Sequence, residues 1–183
     1  SNVTISVVGQ TDFFLVDGTT KGIDISGNLT QASYNSIIPL NNIKSVKVGT
    51  NVTSIGANAF ERNQNLESIE IPNRVTSIGK NAFYQASGLT KVKFKDGSQL
   101  TSIGPGAFQS TTSLQSIEVP LSVTTIGEAA FQNMTSLKMI EVPSSVTTIG
   151  NNVLYGASSL QSIKVDPNNV NYSSDNFGVL FDK

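Results

Sequence analysis

Two glutamates, Glu118 and Glu141, are the residues of this chain best suited to acid–base chemistry. The sequence contains no His and no Cys, so the usual general base and the usual thiol nucleophile are both missing. A carboxylate pair can hydrolyse a glycosidic bond when its two groups flank the substrate at about 5–9.5 Å. These two glutamates instead occupy equivalent outward strand positions in adjacent repeats, side by side on an open face. We therefore expect surface residues, and we expect the protein not to be an enzyme.

Charge and composition disfavour several other classes of function. The 183 residues include 12 basic and 13 acidic side chains, for a net charge of −1, which disfavours a nucleic-acid partner bound by phosphate neutralisation. No apolar run approaches the roughly 18 residues of a membrane-spanning helix. The acidic residues show no EF-hand spacing. We expect no cofactor, no metal, no nucleic-acid partner and no membrane span.

A repeat organises most of the sequence. Residues 52–72 read V-T-S-I-G-A-N-A-F-E-R-N-Q-N-L-E-S-I-E-I-P, and the pattern recurs from positions 75, 100, 123 and 146. Five copies of six apolar positions in one register predict a solenoid, because a single 23-residue unit buries too little apolar surface to fold alone. The residues expected to be buried are, with their equivalents in the other copies, Ile55, Phe60, Leu66, Ile69 and Ile71.

Each repeat is predicted to contain two short strands and one helical turn. Residues 66–71 predict a strand that ends at Pro72, and residues 53–56 predict a shorter strand closed by a glycine able to adopt positive φ. The segment 57–64 has room for one helical turn. Strands this short must pair with the next repeat, in parallel and in register, about 4.8 Å away. The predicted fold is an α/β repeat solenoid with parallel strands on two sides.

The N-terminal part departs from this pattern. Residues 1–28 are predicted to form a β cap over the apolar end of the first coil, with strands at 3–8, 13–16 and 23–25. Residues 29–51 are predicted to be a degenerate first repeat.

Inside that degenerate repeat, a constant offset of 23 residues gives the expected alignment. It matches Ile43 with Leu66 and Ile37 with Phe60, and it puts Ala32-Ser33 in place of the Ile-Gly step. Residues 52–183 then hold five full repeats and a C-terminal strand, so the whole chain is expected to be one domain.

The C-terminal half carries two further irregularities. In the third repeat, counting the degenerate one as the first, the proline is missing and residues 95–99 are expected to form a surface loop. Residues 178–181, G-V-L-F, predict a final strand. We expect this strand to lack a partner within the chain, to allow self-association through its open edge, and Lys183 to lie inside a longer repeat array.

The pattern V-T-S-I-G-x-N-A-F-x-x-x-x-x-L-x-S-I-x-I-P resembles the BspA-like leucine-rich repeat family, most clearly over residues 43–183. The resemblance implies a right-handed solenoid, secreted or on a cell surface, in bacteria or parasitic protists. It also implies adhesion to host matrix proteins or to other cells. The cysteine that the family often carries three residues after the phenylalanine is absent, and Asn63 stands there in the first full repeat.

A row of alternating charges runs along one predicted face. Its members, one per repeat, are Lys47, Glu70, Lys93, Glu118, Glu141 and Lys164. Opposite charges on adjacent strands are expected to form cross-strand pairs, which gives the row a structural role. The alternative is that this face is also a binding surface. The alternation breaks at Glu118 and Glu141, where Met139 also points outward and offers an adaptable contact. Lys91, Lys93 and Lys95 form a small basic patch beside the predicted loop.

These observations predict a non-enzymatic binding or adhesion module that recognises a host or cell-surface protein or a glycan through its open repeat face. The alternative is a structural spacer within a larger surface protein. The sequence leaves open the partner and the face that binds it.

Overall fold

The computed structural model describes residues 8–174 and 180–182 and consists of short strands stacked coil upon coil. The strands are, in chain order, β1 (Thr11–Leu15), β2 (Thr20–Ile23), β3 (Gly27–Leu29), β4 (Ile43–Lys47), β5 (Val52–Ile55), β6 (Ser68–Ile71), β7 (Ser77–Ile78), β8 (Lys91–Phe94), β9 (Ser102–Ile103), β10 (Ser116–Ile117), β11 (Thr125–Ile126), β12 (Met139–Val142), β13 (Thr148–Ile149), β14 (Ser162–Val165), β15 (Tyr172–Ser174) and β16 (Leu180–Asp182).

The strands form two sides of the solenoid, as predicted. One side is a continuous sheet in the order β13-β11-β9-β7-β5-β3. The other side is divided into β2-β1-β4-β6-β8 and β10-β12-β14, and the division falls where residues 95–99 interrupt the repeat. Strands of successive full repeats pair in parallel and in register, so Ile55 lies opposite Ile78 and Ile78 opposite Ile103.

The apolar positions of the repeat merge into one core. The expected burial is confirmed in the central repeats, where Phe108 and Leu114 are fully buried. Successive aromatic rings stack with centroids 5.0–6.0 Å apart. Val92 and Phe94, next to the break in the sheet, are only partly buried. In the last repeat Leu154 and its neighbours are also partly buried, because no further described repeat covers them.

The expected helical turn in each repeat is wrong. Within the described residues, the helical segments are two 3₁₀ turns of three residues, Gln31–Ser33 and Leu40–Asn42. Segment 57–63 instead places Asn58 and Arg62 at positive φ, 56° and 59°, which a helix does not allow. Alternate N–H groups of this segment donate to carbonyls of the next repeat rather than along a helix, as Phe60 donates to Ala82 at 2.7 Å.

The expected role of the repeat glycine is also wrong. Neither Gly104 nor Gly127 is among the residues with positive φ. A Cβ atom on Gly127 would lie 2.5 Å from the nitrogen of Pro105, and one on Gly104 would lie 2.8 Å from the carbonyl carbon of Gly79. Glycine is required at this position because the backbones of successive coils approach closely there.

The N-terminal strands cover one edge of the divided side. Strand β1 pairs antiparallel with β2 and with β4, and it overlaps the strand predicted at 13–16. The strand predicted at 3–8 lies outside the described residues except for Val8. The strand predicted at 23–25 is wrong, because β2 ends at Ile23 and β3 begins at Gly27.

The degenerate first repeat is longer than expected from the constant offset of 23 residues. Leu29 lies opposite Ile55, and the buried ring of Tyr34 stacks on Phe60 at 5.7 Å. The predicted matches at Ala32-Ser33 and Ile37 are therefore wrong, and the side chain of Ile37 is 56% exposed. Because Val46 still pairs with Ile69 at an offset of 23, the extra residues lie between Tyr34 and the following strand.

Tyr34 closes the open end of the turn ladder. Its hydroxyl donates to the carbonyl of Ala59 at 2.6 Å. In later repeats the equivalent carbonyl accepts a backbone N–H of the preceding repeat, as Ala82 accepts from Phe60. Burial of this side chain raises the pKa of its phenol. The hydroxyl therefore stays protonated and remains a donor.

The C-terminal strand has a partner within the chain, contrary to expectation. Strand β16 pairs antiparallel with β15, and Ser173 lies opposite Phe181. Residues 178 and 179 of the predicted strand lie outside the described residues. Asn169, which is 1% exposed, holds the base of this hairpin by donating to the carbonyls of Pro143 and Val146. Because β16 is paired with β15, there is no longer a reason to expect self-association through an unpaired final strand.

Candidate functional site

The predicted row of charges lies on the outer face of the divided side. The strand register places Lys47 opposite Glu70 and Glu70 opposite Lys93, and it places Glu141 opposite Lys164. These positions follow from the alternation of side chains along parallel strands that differ by one repeat. In the sheet β10-β12-β14, the described pairing of β10 with β12 ends at Ile117, one residue before Glu118.

In the N-terminal half of the face, the charge of Glu70 is neutralised by lysines. The Nζ atoms of Lys95 and Lys93 lie 2.9 and 3.6 Å from its carboxylate oxygens. The hydrogen bond from Lys95, with the positive charges of Lys93 and Lys47, lowers the pKa of Glu70 despite partial burial. The sequence predicted the pairing of Glu70 with Lys93 and placed Lys95 in a basic patch. It did not predict the contact that Lys95 makes with Glu70 from the inserted loop.

Four of the predicted site residues line a shallow groove in this half. Lys47, Glu70, Lys91 and Lys93 surround a space of about 290 Å³ together with Phe14 from the N-terminal strands. The ring of Phe14 is 41% exposed. The ion pairs of Glu70 with Lys93 and Lys95 neutralise its carboxylate, so this small groove keeps an excess of positive charge.

The C-terminal half of the face differs in charge balance. Lys164 lies 3.9 Å from Glu141, and both side chains are about two-thirds exposed, at 64% and 65%. Ion pairs this exposed contribute little stability. Glu118 is exposed and forms no ion pair with the part of the chain that the structure describes.

A groove of about 830 Å³ occupies the C-terminal half. Strands β10, β12 and β14 form its floor, and Pro167 and Ser174 from the C-terminal region form part of its wall. The charged and exposed apolar side chains that line it are Glu118, Leu121, Met139, Glu141, Lys164 and Asp166. The groove thus brings together the other four predicted site residues, and it lies apart from the basic half of the face.

Sequence reasoning missed Leu121, although a signal was present. Its side chain is 83% exposed, and it follows Pro120 where the first and fourth full repeats have Asn73 and Ser144 after their prolines. An apolar residue at a position that other repeats fill with a polar one is a departure without a role in the core. Comparison of the outward positions, rather than of the core alone, would have identified it.

The groove offers a contact surface, and Glu118 and Glu141 both lie on its open floor. No group of three or more acidic side chains within the described residues is placed to hold a metal ion. Nor is any helix there long and apolar enough to cross a membrane.

Comparison with known proteins identifies the repeat. The sequence model described as BspA type leucine rich repeat region matches residues 3–99 and 95–178, with six copies in all. No curated protein sequence matches the chain. Among solved structures, a leucine-rich repeat protein from Eubacterium ventriosum is 31% identical with a TM-score of 0.78, and the match covers 96% of this chain and 46% of that one.

A second solved structure, the leucine rich repeat protein TpLRR of T. pallidum, is 28% identical with a TM-score of 0.63, over 66% of this chain and 57% of that one. The pneumococcal vaccine antigen PcpA shares the fold at 23% identity and a TM-score of 0.55, over 91% of this chain and 49% of that one. The chain therefore spans about half the length of these proteins. The proteins similar to it are repeat proteins rather than enzymes.

Proposed function

Because this chain belongs to the BspA-type leucine-rich repeat family, we propose that it is a non-enzymatic binding module that recognises a protein or a glycan. The observation that carries the proposal is the groove of about 830 Å³ over β10, β12 and β14. Grooves of roughly 300–1,000 Å³ that combine apolar surface with a few polar groups are typical of binding sites. The predicted residues Glu118, Met139, Glu141 and Lys164 belong to this groove, and Leu121 joins them.

We place the protein on a cell surface or outside the cell. This proposal rests on membership of the family and on a composition rich in Ser, Thr and Asn with only 14% charged residues. Adhesion to a host protein or to another cell is the form of binding that the family suggests. The basic half of the face, with Lys47, Lys91 and Lys93 around Glu70, is the secondary candidate for a partner.

A structural spacer is the alternative. The repeat satisfies its own backbone from coil to coil, as when Gly127 donates to the carbonyl of Ile103 at 2.8 Å, so the solenoid needs no ligand to hold its shape. A spacer, however, has no use for an exposed Leu121 and an exposed Met139 in one groove. That feature favours binding over display alone.

The test is a binding screen of this chain against immobilised extracellular-matrix proteins and a glycan array. The matched control is the double variant Leu121→Ser/Met139→Ser, which gives both positions side chains that other repeats carry. We expect at least one ligand to bind the natural chain and to be lost from the double variant. A chain that binds none of them would support the spacer, and hydrolytic activity abolished by Glu141→Gln would support an enzyme instead.

A further inference from the structure

We propose that the groove over β10, β12 and β14 binds an extended peptide segment in which basic residues flank an apolar side chain. This inference rests on the proposed binding function and adds the chemistry of the partner to it. Three features of the groove carry the inference: two apolar side chains that depart from the repeat, an excess of carboxylates, and the dimensions of the floor.

The apolar side chains supply an anchor. Leu121 is 83% exposed and Met139 is 37% exposed, and both line the groove. The register places Ser116 and Ser162 on either side of Met139, so neighbouring repeats fold with a small polar residue at that position. Neither apolar residue is therefore needed for stacking. Both gain burial only when an apolar group of a partner covers them, and the flexible thioether adapts to its shape.

The charges that line the groove determine which charge a partner should carry. Three carboxylates line the groove, those of Glu118, Glu141 and Asp166, against the single ammonium group of Lys164. The carboxylate of Asp166 also accepts a backbone hydrogen bond from Asn168. Lys164 pairs with Glu141 at 3.9 Å, so the carboxylates of Glu118 and Asp166 leave the groove with an excess of negative charge. Complementary charge steers and orients a cationic partner.

The other half of the face has the opposite balance. Glu70 is already paired with Lys93 and Lys95, and the remaining lysines there are suited to an anion. An acidic glycan would accordingly prefer the basic half, and the larger groove is left to a basic segment.

The dimensions fit an extended chain better than a folded surface. Three parallel strands at about 4.8 Å spacing give a floor roughly 10 Å across, which spans about three residues of an extended peptide at ~3.3 Å each. Pro167 and Ser174 close part of the groove, and the hydroxyl of Ser174 accepts a hydrogen bond from the N–H of Val165, which fixes the hairpin against β14. Strand β12 already pairs on both sides, so recognition there uses side chains.

Fluorescence polarisation with three labelled pentapeptides tests the inference. The first is Lys-Lys-Leu-Lys-Lys, the second replaces its leucine by serine, and the third replaces every lysine by glutamate. We expect the first peptide to bind, the second to bind at least about fivefold more weakly, and the third not to bind. Binding of the first should weaken as salt is raised, because exposed charges are screened.

Single variants locate the site. Leu121→Ser and Met139→Ser should each weaken binding of the first peptide by about tenfold, the change that corresponds to loss of one apolar contact of about 1.4 kcal/mol. Glu118→Gln should weaken it by about threefold, as expected for a partly screened charge. Lys93→Gln in the basic half is the control and should leave binding unchanged. Circular dichroism spectra identical to that of the natural chain would confirm that each variant is folded.

Several results would overturn the inference. They are no saturation by the first peptide up to about 1 mM, equal affinity for the leucine and serine peptides, or binding unaffected by Met139→Ser. Capture of a sulfated oligosaccharide that is lost with Met139→Ser would also overturn it, because the groove would then hold an anion, while leaving a binding function in place. A failure of the proposed function itself would instead appear as no binding to any protein or glycan in the screen.

Discussion

Replacing Phe108 by alanine tests the core of the solenoid most directly. Its ring is fully buried and stacks between those of Phe83 and Phe131, with centroid distances of 5.0 and 6.0 Å. Truncation of a buried phenylalanine costs about 3–5 kcal/mol of the free energy of unfolding, including the cavity that remains. Two aromatic pairs at about 0.5–1.5 kcal/mol each account for roughly 1–3 kcal/mol of that loss.

Phe108→Leu is the matched control, because Leu154 fills the same position in the last repeat. Leucine keeps most of the apolar burial and loses only the ring pairs, so it should cost about 1–3 kcal/mol. Urea unfolding followed by circular dichroism gives both values from the midpoint and slope. Because coils of a solenoid can unfold in stages, the slope must stay constant for the comparison to be valid.

A loss below about 1 kcal/mol for Phe108→Ala would refute the stacking described here. Equal losses for the alanine and leucine variants would show that the aromatic pairs, rather than burial, dominate. A double-mutant cycle adds a sharper criterion. Leucine variants of Phe83 and Phe108 should show coupling, whereas those of Phe60 and Phe108, which are not neighbours in the stack, should be nearly additive.

Three further predictions concern single sites. Asn63 is fully buried, and neither its side-chain nitrogen nor its oxygen has a hydrogen-bond partner among the described residues, so Asn63→Thr should raise the free energy of unfolding by about 1–3 kcal/mol. The new hydroxyl would repeat the bond from Thr111 to the carbonyl of Phe108, and a loss of stability in urea would contradict this. Gly127→Ala should cost about 1–3 kcal/mol by forcing two coils apart, and an unchanged melting temperature would show that the coils can yield. Because Lys95 holds the pKa of Glu70 below its usual 4.5, Glu70 stabilises the fold above that pH, and this contribution is lost as pH falls below 4.5 and through the lowered pKa. In Lys95→Gln the free energy of unfolding should fall less steeply with decreasing pH. A pH profile identical to that of the natural chain would show that the pair of Lys95 and Glu70 does not cause the decrease.

The sequence predicted the stacked strands correctly because each apolar position recurs in every repeat. It did not predict the turn segment, since eight residues accommodate one helical turn and a chain of turns equally well. The distinguishing signal lies in the residue types at the positive-φ positions. Asn58, Asn81, Asn133 and Asn152 all adopt positive φ there, and asparagine tolerates that conformation better than most residues. A pattern read for apolar periodicity alone passes over these positions.

The charged face was predictable only where the register determines it. Pairs between neighbouring strands, such as Glu70 with Lys93, follow from the parallel alignment of repeats. The bond from Lys95 depends on how the inserted loop turns back. The division of the face into two grooves depends on the same insertion, which separates β8 from β10. Such features arise from departures from the repeat, so the repeat itself contains no information about them.

The difference between repeated positions and departures from the repeat also separates residues needed for folding from candidate binding residues. Core positions are constrained in every coil, because a change at one would open a gap against both neighbours. Outward positions are constrained only by solubility, and most repeats fill them with Ser, Asn, Lys or Glu. Leu121 contributes almost nothing to burial at 83% exposure, and a leucine in water gains no stability from its side chain. Its presence in the same groove as Met139 therefore has no explanation in the stability of the solenoid, and we propose contact with a partner as the explanation.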